Sequence, residues 1–170
     1  MKNIFNILGF QISWWACVIG VKNGQPYVGP TFMVIFILIH FFYFKANLLE
    51  IRLIGFFAII GTAIDTILAY SGLISYNGLY SQNLLLAPLW ITALWCGFCA
   101  TVNHSLSWLK DRAIASFTMG AVFGPLSYIA GEKFNAISFH SSMLIINITL
   151  AIVWGISIFL IFFLNKRLGL

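Results

Sequence analysis

Charge is what this 170-residue sequence has least of. Only 8% of its residues are charged, whereas soluble domains carry about 25%, and 61% are hydrophobic with a mean hydropathy of +0.99. This composition excludes an ordinary soluble domain and predicts an integral membrane protein. No linker or low-complexity segment interrupts the chain, so one polytopic membrane domain over residues 1–170 is expected.

Cysteine is scarce as well, with three residues at Cys17, Cys96 and Cys99, all in apolar stretches. An odd number of thiols inside predicted helices argues against a disulfide framework. Cys96 and Cys99 have C-x-x-C spacing, but thiol redox chemistry needs the first thiol at a helix N-terminus that stabilises the thiolate. Here both lie within an apolar helix, so we interpret them as small core residues.

Long apolar stretches occur six times, and they predict an all-α integral membrane bundle of six transmembrane helices. The expected spans are about 3–21, 30–44, 52–72, 84–102, 113–131 and 141–164. Of the nine Lys and Arg residues, seven lie on the side that holds both termini and two on the other. The positive-inside rule therefore predicts cytoplasmic termini. Tyr76 and Tyr80, in the loop after the third span, are expected at the opposite interface.

One ionisable residue lies deep inside a predicted span. Asp65 is about 18–20 Å from the cytoplasmic edge by helix rise, and a carboxylate at that depth indicates a functional site. Side chains on other spans reach a similar level, so a ligand pocket is geometrically feasible. The candidate pocket contains Asp65, Thr62, Trp14, Tyr128 and Asn147. The alternative is that Asp65 only hydrogen-bonds Asn147 or Tyr128 and locks the bundle.

A second polar group, Asn103, His104 and Ser105, lies at the cytoplasmic end of the fourth span. A histidine beside hydroxyls suits acid–base or nucleophilic chemistry, and it also suits contact with lipid headgroups. The alternative is a helix end whose free carbonyls these side chains cap. His40, His104 and His140 are expected at three different depths, so we predict no metal site and no cofactor.

Small residues four apart on the fifth span form a ridge of Ser116, Gly120 and Gly124, which favours close helix packing. The ridge leaves room for a membrane protein partner or a homo-oligomer, in addition to contacts with membrane lipids. The formal charge of +5 comes from basic residues at helix ends, where topology places them, so no nucleic-acid partner is expected.

Several short motifs occur in an order that resembles a known family. They are Gly61-Thr62-x-x-Asp65, Leu86-Ala87-Pro88-Leu89-Trp90, Asn103-His104-Ser105-Leu106 and Gly120-Ala121-Val122 with Gly124-Pro125. In this order they resemble the domain of unknown function 2878 family of bacterial inner-membrane proteins. The resemblance covers nearly the whole chain. It implies a small multi-pass protein of the bacterial cytoplasmic membrane, and it directs the expected ligand toward lipids.

Three function classes follow from these observations. The first is binding or translocation of a small amphipathic or lipid-like solute through a pocket around Asp65. The second is a membrane-embedded enzyme of lipid or fatty-acyl metabolism, with Asp65 or His104 as the acid–base group. The third is an accessory subunit, held to a partner through the ridge that includes Gly120.

Overall fold

The computed structural model describes residues 2–81 and 84–170, and it confirms the predicted all-α architecture with six helices. The helices are α1 (Lys2–Lys22), α2 (Val28–Phe44), α3 (Leu48–Tyr70), α4 (Leu89–Cys99), α5 (Ala113–Lys133) and α6 (Met143–Arg167). The other secondary-structure elements among the described residues are two three-residue strands, β1 (Ile74–Tyr76) and β2 (Ile137–Phe139), and a short 3₁₀ helix (Ser107–Leu109).

Four of the six helices, α1, α3, α5 and α6, are long and apolar enough to cross a membrane by length and composition. The other two are shorter. At 1.5 Å per residue, α2 is about 25 Å long and α4 only about 16 Å. The described part of the chain is therefore that of a membrane protein in which α4 needs flanking segments to approach the thickness of a bilayer.

The fourth helix is much shorter than the predicted span of 84–102, and a proline explains where it begins. The residue that precedes a proline disfavours helical dihedral angles. Residues 84–88 are not helical, and α4 starts directly after Pro88. The Ala87 N–H is satisfied by the Thr66 hydroxyl at 3.0 Å. The hydroxyl is the acceptor that a backbone N–H outside a helix needs in an apolar environment.

The third helix begins four residues earlier than the predicted start at residue 52. The Asn47 side chain accepts a hydrogen bond from the backbone N–H of Glu50 at 2.9 Å, which caps the helix. Residues 48–51, which the predicted span leaves out, are therefore the first turn of α3. Glu50 consequently has a fixed position on a helix and is buried.

The ridge of small residues on α5 packs against α6 of the same chain. A Cβ added at Gly120 would lie 2.3 Å from the backbone oxygen of Trp154, and one at Gly124 would lie 2.3 Å from its ring. Ser116 is fully buried. The close packing thus occurs within the chain, and α6 covers the ridge that the sequence leaves open to a partner.

Two loops at one end of the bundle are joined by strands that the hydropathy pattern does not predict. β1 pairs with β2 in antiparallel register, with Tyr76 opposite Ile137. The strand turns Tyr76 inward, so that it is only 3% exposed. The expected interfacial position of Tyr76 is therefore wrong, whereas Tyr80 is exposed.

The opposite end of the bundle joins both termini to the loops around them. Lys166 donates to Asp111 at 2.5 Å, and this ammonium holds the pKa of the exposed Asp111 carboxyl below its usual range. Lys110 donates to the backbone oxygen of Leu170. The Lys2 ammonium lies 5.2 Å from the centre of the Tyr43 ring. The start of α1 is thus close to the end of α2, and the end of α6 is close to the loop before α5.

Candidate functional site

Asp65 is fully buried on α3, and three hydrogen-bond donors converge on its carboxylate. The hydroxyls of Tyr76 and Tyr128 both donate to Oδ1, the first at 2.7 Å. The indole N–H of Trp95 donates to Oδ2 at 2.7 Å. These bonds compensate for the water that a buried carboxylate loses, and they join α3 to β1, α4 and α5.

A glycine one turn before Asp65 makes room for one of these donors. Residues four apart on a helix share a face, and a Cβ added at Gly61 would lie 2.0 Å from the Trp95 ring. The missing side chain lets the indole lie directly against α3 and reach Asp65. On its other face the Trp95 ring stacks on Trp154, with centroids 4.5 Å apart and planes 5° from parallel.

Tyr76 is a neutral donor in this group. Burial raises the pKa of its hydroxyl well above the usual range, and the neighbouring Asp65 charge raises that pKa further. The hydroxyl therefore keeps its proton at physiological pH and has a carboxylate oxygen as its acceptor. We call Asp65, Tyr76, Trp95 and Tyr128 the Asp65 cluster.

An aromatic cavity of about 490 Å³ lies beside the Asp65 cluster, between α1 and α4 on one side and α5 and α6 on the other. Its wall is mostly apolar and includes the indoles of Trp14, Trp15, Trp90, Trp95 and Trp154. Asp65 and Tyr128 belong to the same wall. Neither lysine nor arginine lines it, and Asp65 supplies the one carboxyl group among the described lining residues.

The residues predicted for the Asp65 pocket do not all line the aromatic cavity. Tyr128 contacts Asp65 directly, and Trp14 lines the aromatic cavity from α1. Thr62 bonds Thr92 at 2.7 Å and so ties α3 to α4. Asn147 lies outside the cavity wall, and its side-chain oxygen is buried with no hydrogen-bond partner among the described residues.

The second predicted group, Asn103, His104 and Ser105, lies in the turns after α4, and its members have separate partners. His104 Nε2 is 3.0 Å from Glu50 Oε1. Ser105 donates to Asn6 on α1 at 2.6 Å. Asn103 accepts from Asn165 on α6 at 2.5 Å. These contacts join the turns to three helices, and they bring His104 against an acid.

The expectation that the three histidines lie at three depths is wrong for two of them. His40, in the last turns of α2, is fully buried, and its ring centre is 4.8 Å from that of His104. Its Nε2 is 3.3 Å from the same oxygen of Glu50. His40 lies only four residues before the end of α2, so it is on the same end of the bundle as the turns that carry His104. His140 lies elsewhere, bonded to Ser75 at 2.8 Å.

Sequence reasoning missed Tyr76, Trp95, His40 and Glu50 as members of polar clusters. For Glu50 a signal was present, because Asn47 followed three residues later by a glutamate is typical of a helix start. Extending α3 by that signal would have placed Glu50 on the helix. For Tyr76 and Trp95 no local pattern indicates the contact, since their approach to Asp65 depends on the strand pair and on Gly61.

Together, the long apolar helices and the buried polar clusters define a multi-helix membrane protein. The chain belongs to the family described as "Protein of unknown function (DUF2878)", whose model matches residues 3–160. The family resemblance of the sequence is thereby confirmed. Neither the curated proteins nor the solved structures contain a match to this chain.

Proposed function

We propose that this protein is a six-span protein of the bacterial cytoplasmic membrane that binds a small amphipathic or lipid-like solute in the aromatic cavity. The observation that carries the proposal is a buried acid, Asp65, in the wall of an otherwise apolar cavity of about 490 Å³. Ligand sites in proteins are usually apolar clefts of about 300–1,000 Å³ with a few polar groups that orient the ligand.

The rim of the cavity supports a ligand that enters from the lipid phase. Trp15 on α1 and Phe123 and Leu126 on α5 line the cavity, and they are 38%, 56% and 51% exposed. Both helices are long enough to span a membrane, so these exposed side chains would face acyl chains. An apolar solute could reach the cavity sideways without crossing water.

The carboxyl group in the wall supports a neutral or cationic polar end on the ligand. Asp65 supplies oxygen acceptors, and the faces of indole rings are negative. A phosphate or carboxylate would find no basic side chain among the described lining residues. Binding of this kind is the first step of either storage or translocation, and one cavity serves both.

Filling the cavity should weaken binding while leaving the fold intact. Ala130 lines the cavity on α5, whereas Val122, on the same helix, is 47% exposed outside it. We expect Ala130→Trp to weaken lipid binding about tenfold or more, because the indole occupies ligand space, and Val122→Trp to have no effect. Native mass spectrometry of delipidated protein, titrated with a long-chain amine and the matching long-chain alcohol, measures this. Equal binding by both variants would contradict a ligand in the cavity.

The proposed topology places both termini in the cytoplasm and β1 and β2 on the outer side. Seven of the nine basic residues lie on the side of the termini. We expect a single cysteine at the exposed Asn77, in a background without native cysteines, to react with an impermeant thiol reagent in intact cells. One at Arg167, also exposed, should react only after lysis. The reverse labelling pattern would invert the topology.

A membrane-embedded enzyme of lipid or fatty-acyl metabolism is the second candidate function. The contacts of His40 and His104 with Glu50 favour it, because imidazole and carboxylate groups in one place supply acid–base or metal chemistry. An accessory subunit would need a free docking face, and α6 already covers the ridge at Gly120.

A further inference from the structure

We infer that His40, Glu50 and His104 form a binding site for one divalent transition-metal ion of the Zn²⁺ or Fe²⁺ class. The site is independent of the proposed lipid-binding cavity. Glu50 precedes Asp65 by fifteen residues on α3, which corresponds to about 22 Å along the helix. A lipid ligand and a metal ion would therefore occupy opposite parts of the bundle.

The two distances from Glu50 to the histidines fit the edges of a metal coordination shell. Glu50 Oε1 is 3.3 Å from His40 Nε2 and 3.0 Å from His104 Nε2. A tetrahedral ion with bonds of 2.0–2.1 Å has ligand atoms about 3.3 Å apart. All three ligand atoms lie within 4.8 Å of one another, so small side-chain rotations bring them to bonding distance of one ion.

The ligands come from separate elements that the fold holds together. His40 is on α2, Glu50 is on α3 and His104 is in the turns after α4. The Phe44 ring packs on both imidazoles, with centroid distances of 5.0 Å to His40 and 4.1 Å to His104. Such packing keeps both imidazoles beside Glu50, and ligands held close together by the fold favour metal binding.

The turn that carries His104 is fixed from a third side by α1. Asn6, which is fully buried, donates to the backbone oxygen of Ala100 at 3.1 Å and accepts from the Ser105 hydroxyl at 2.6 Å. These bonds hold both ends of the segment that contains His104. Asn6 Nδ2 also lies 3.5 Å from His40 Nδ1, the nitrogen that faces away from Glu50. Because an amide nitrogen only donates, this contact suits a His40 that carries its proton on Nε2, and metal binding at Nε2 would break it.

Two imidazoles and one carboxylate leave at least one coordination position open. Structural zinc sites usually have four protein ligands, whereas sites with three bind water or substrate in the remaining position. Glu50 also lines a polar cavity of about 350 Å³ with Asn103, Ser107 and Lys110. This cavity gives water and polar substrates a route to the ion, and Lys110 would favour an anionic group there.

The competing interpretation is that both imidazoles donate N–H groups to Glu50 and no ion binds. The same two distances allow such hydrogen bonds. The two arrangements differ in the ring nitrogen that carries the proton, because a metal takes the lone pair of each Nε2. Measurement of bound metal therefore distinguishes them directly.

The test uses the full chain in detergent, stripped with a chelator and titrated with Zn²⁺ alone. We expect the parent to bind one equivalent of zinc, and Glu50→Gln and His104→Ala to bind it at least about 100-fold more weakly. His140→Ala is the matched control, since His140 is exposed and contacts Ser75 instead. It should bind zinc as the parent does.

X-ray absorption at the zinc edge of the parent keeps the test decisive if a variant fails to fold. Two imidazole ligands and one oxygen ligand from the protein are expected. A parent that binds less than half an equivalent of zinc, or whose spectrum shows sulfur ligands or no imidazole, would overturn the proposal. Equal loss of zinc in His140→Ala and His104→Ala would overturn it as well. Neither result bears on lipid binding in the aromatic cavity.

Discussion

Gly61→Ala is expected to destabilise the protein by about 3 kcal/mol, the upper end of the usual range for overpacking a core. The new Cβ would lie 2.0 Å from the Trp95 ring, which is held between α3 and Trp154 and cannot move away freely. Any displacement of the indole also weakens its hydrogen bond to Asp65. The melting temperature in detergent measures the effect.

Gly55→Ala is the matched control, because it lies on the same helix and a Cβ there meets nothing within 4 Å. Alanine is a better helix former than glycine by about 1 kcal/mol, so this variant should be neutral or slightly stabilised. A double-mutant cycle isolates the cause. In a Trp95→Ala background, the penalty for Gly61→Ala should largely disappear. The same penalty in both backgrounds would mean that Trp95 is not the obstacle.

The helices were accessible from the sequence because each is a long apolar stretch bounded by polar residues. Their ends depend on single residues. Pro88 delays the start of α4, and Asn47 advances the start of α3. Both effects are local and follow from known rules for proline and for helix caps. The strand pair was not accessible, because three residues in each strand carry too little periodicity to indicate pairing.

The two polar clusters show what the depth of a residue along its helix can and cannot predict. Asp65 and Tyr128 were assigned to a similar level, and the structure places their side chains in contact. His40 and His104 were expected at different depths, but His40 is near the end of α2 and lies against His104. Depth along a helix says nothing about rotation around it, which is why Trp95 was missed. That rotation is set by packing details such as the space at Gly61.

Substitutions of Asp65 can separate its structural role from its functional role, because its three partners differ in whether they only donate hydrogen bonds or can also accept them. The Trp95 indole only donates, whereas the hydroxyls of Tyr76 and Tyr128 donate or accept. In Asp65→Asn the side-chain oxygen can face Trp95, and the two amide hydrogens can face the two tyrosine oxygens. The shape and most hydrogen bonds are thus preserved while the charge is lost. We expect this variant to insert and fold.

Asp65→Leu removes every acceptor at once and leaves three buried donors unpaired. Each unpaired donor costs about 1–3 kcal/mol in a protein interior, although hydrogen bonds in membrane proteins average nearer 0.6 kcal/mol. We therefore expect Asp65→Leu to lose about 2–9 kcal/mol of stability, with lower expression and a lower melting temperature than the parent. If Asp65→Leu melts like the parent, the three hydrogen bonds do not hold the bundle together.

Lipid binding by Asp65→Asn then decides the role of the charge. If the carboxylate orients the polar end of a ligand, the asparagine variant should keep the parental melting temperature within a few degrees but bind cationic or hydroxyl-bearing amphiphiles about tenfold more weakly, a difference of 1.4 kcal/mol. Measuring a long-chain amine and the matching long-chain alcohol against delipidated parent and variant tests this, and the amine should lose more. Unchanged binding of both probes by a folded Asp65→Asn protein would restrict Asp65 to joining α3, α4, α5 and β1.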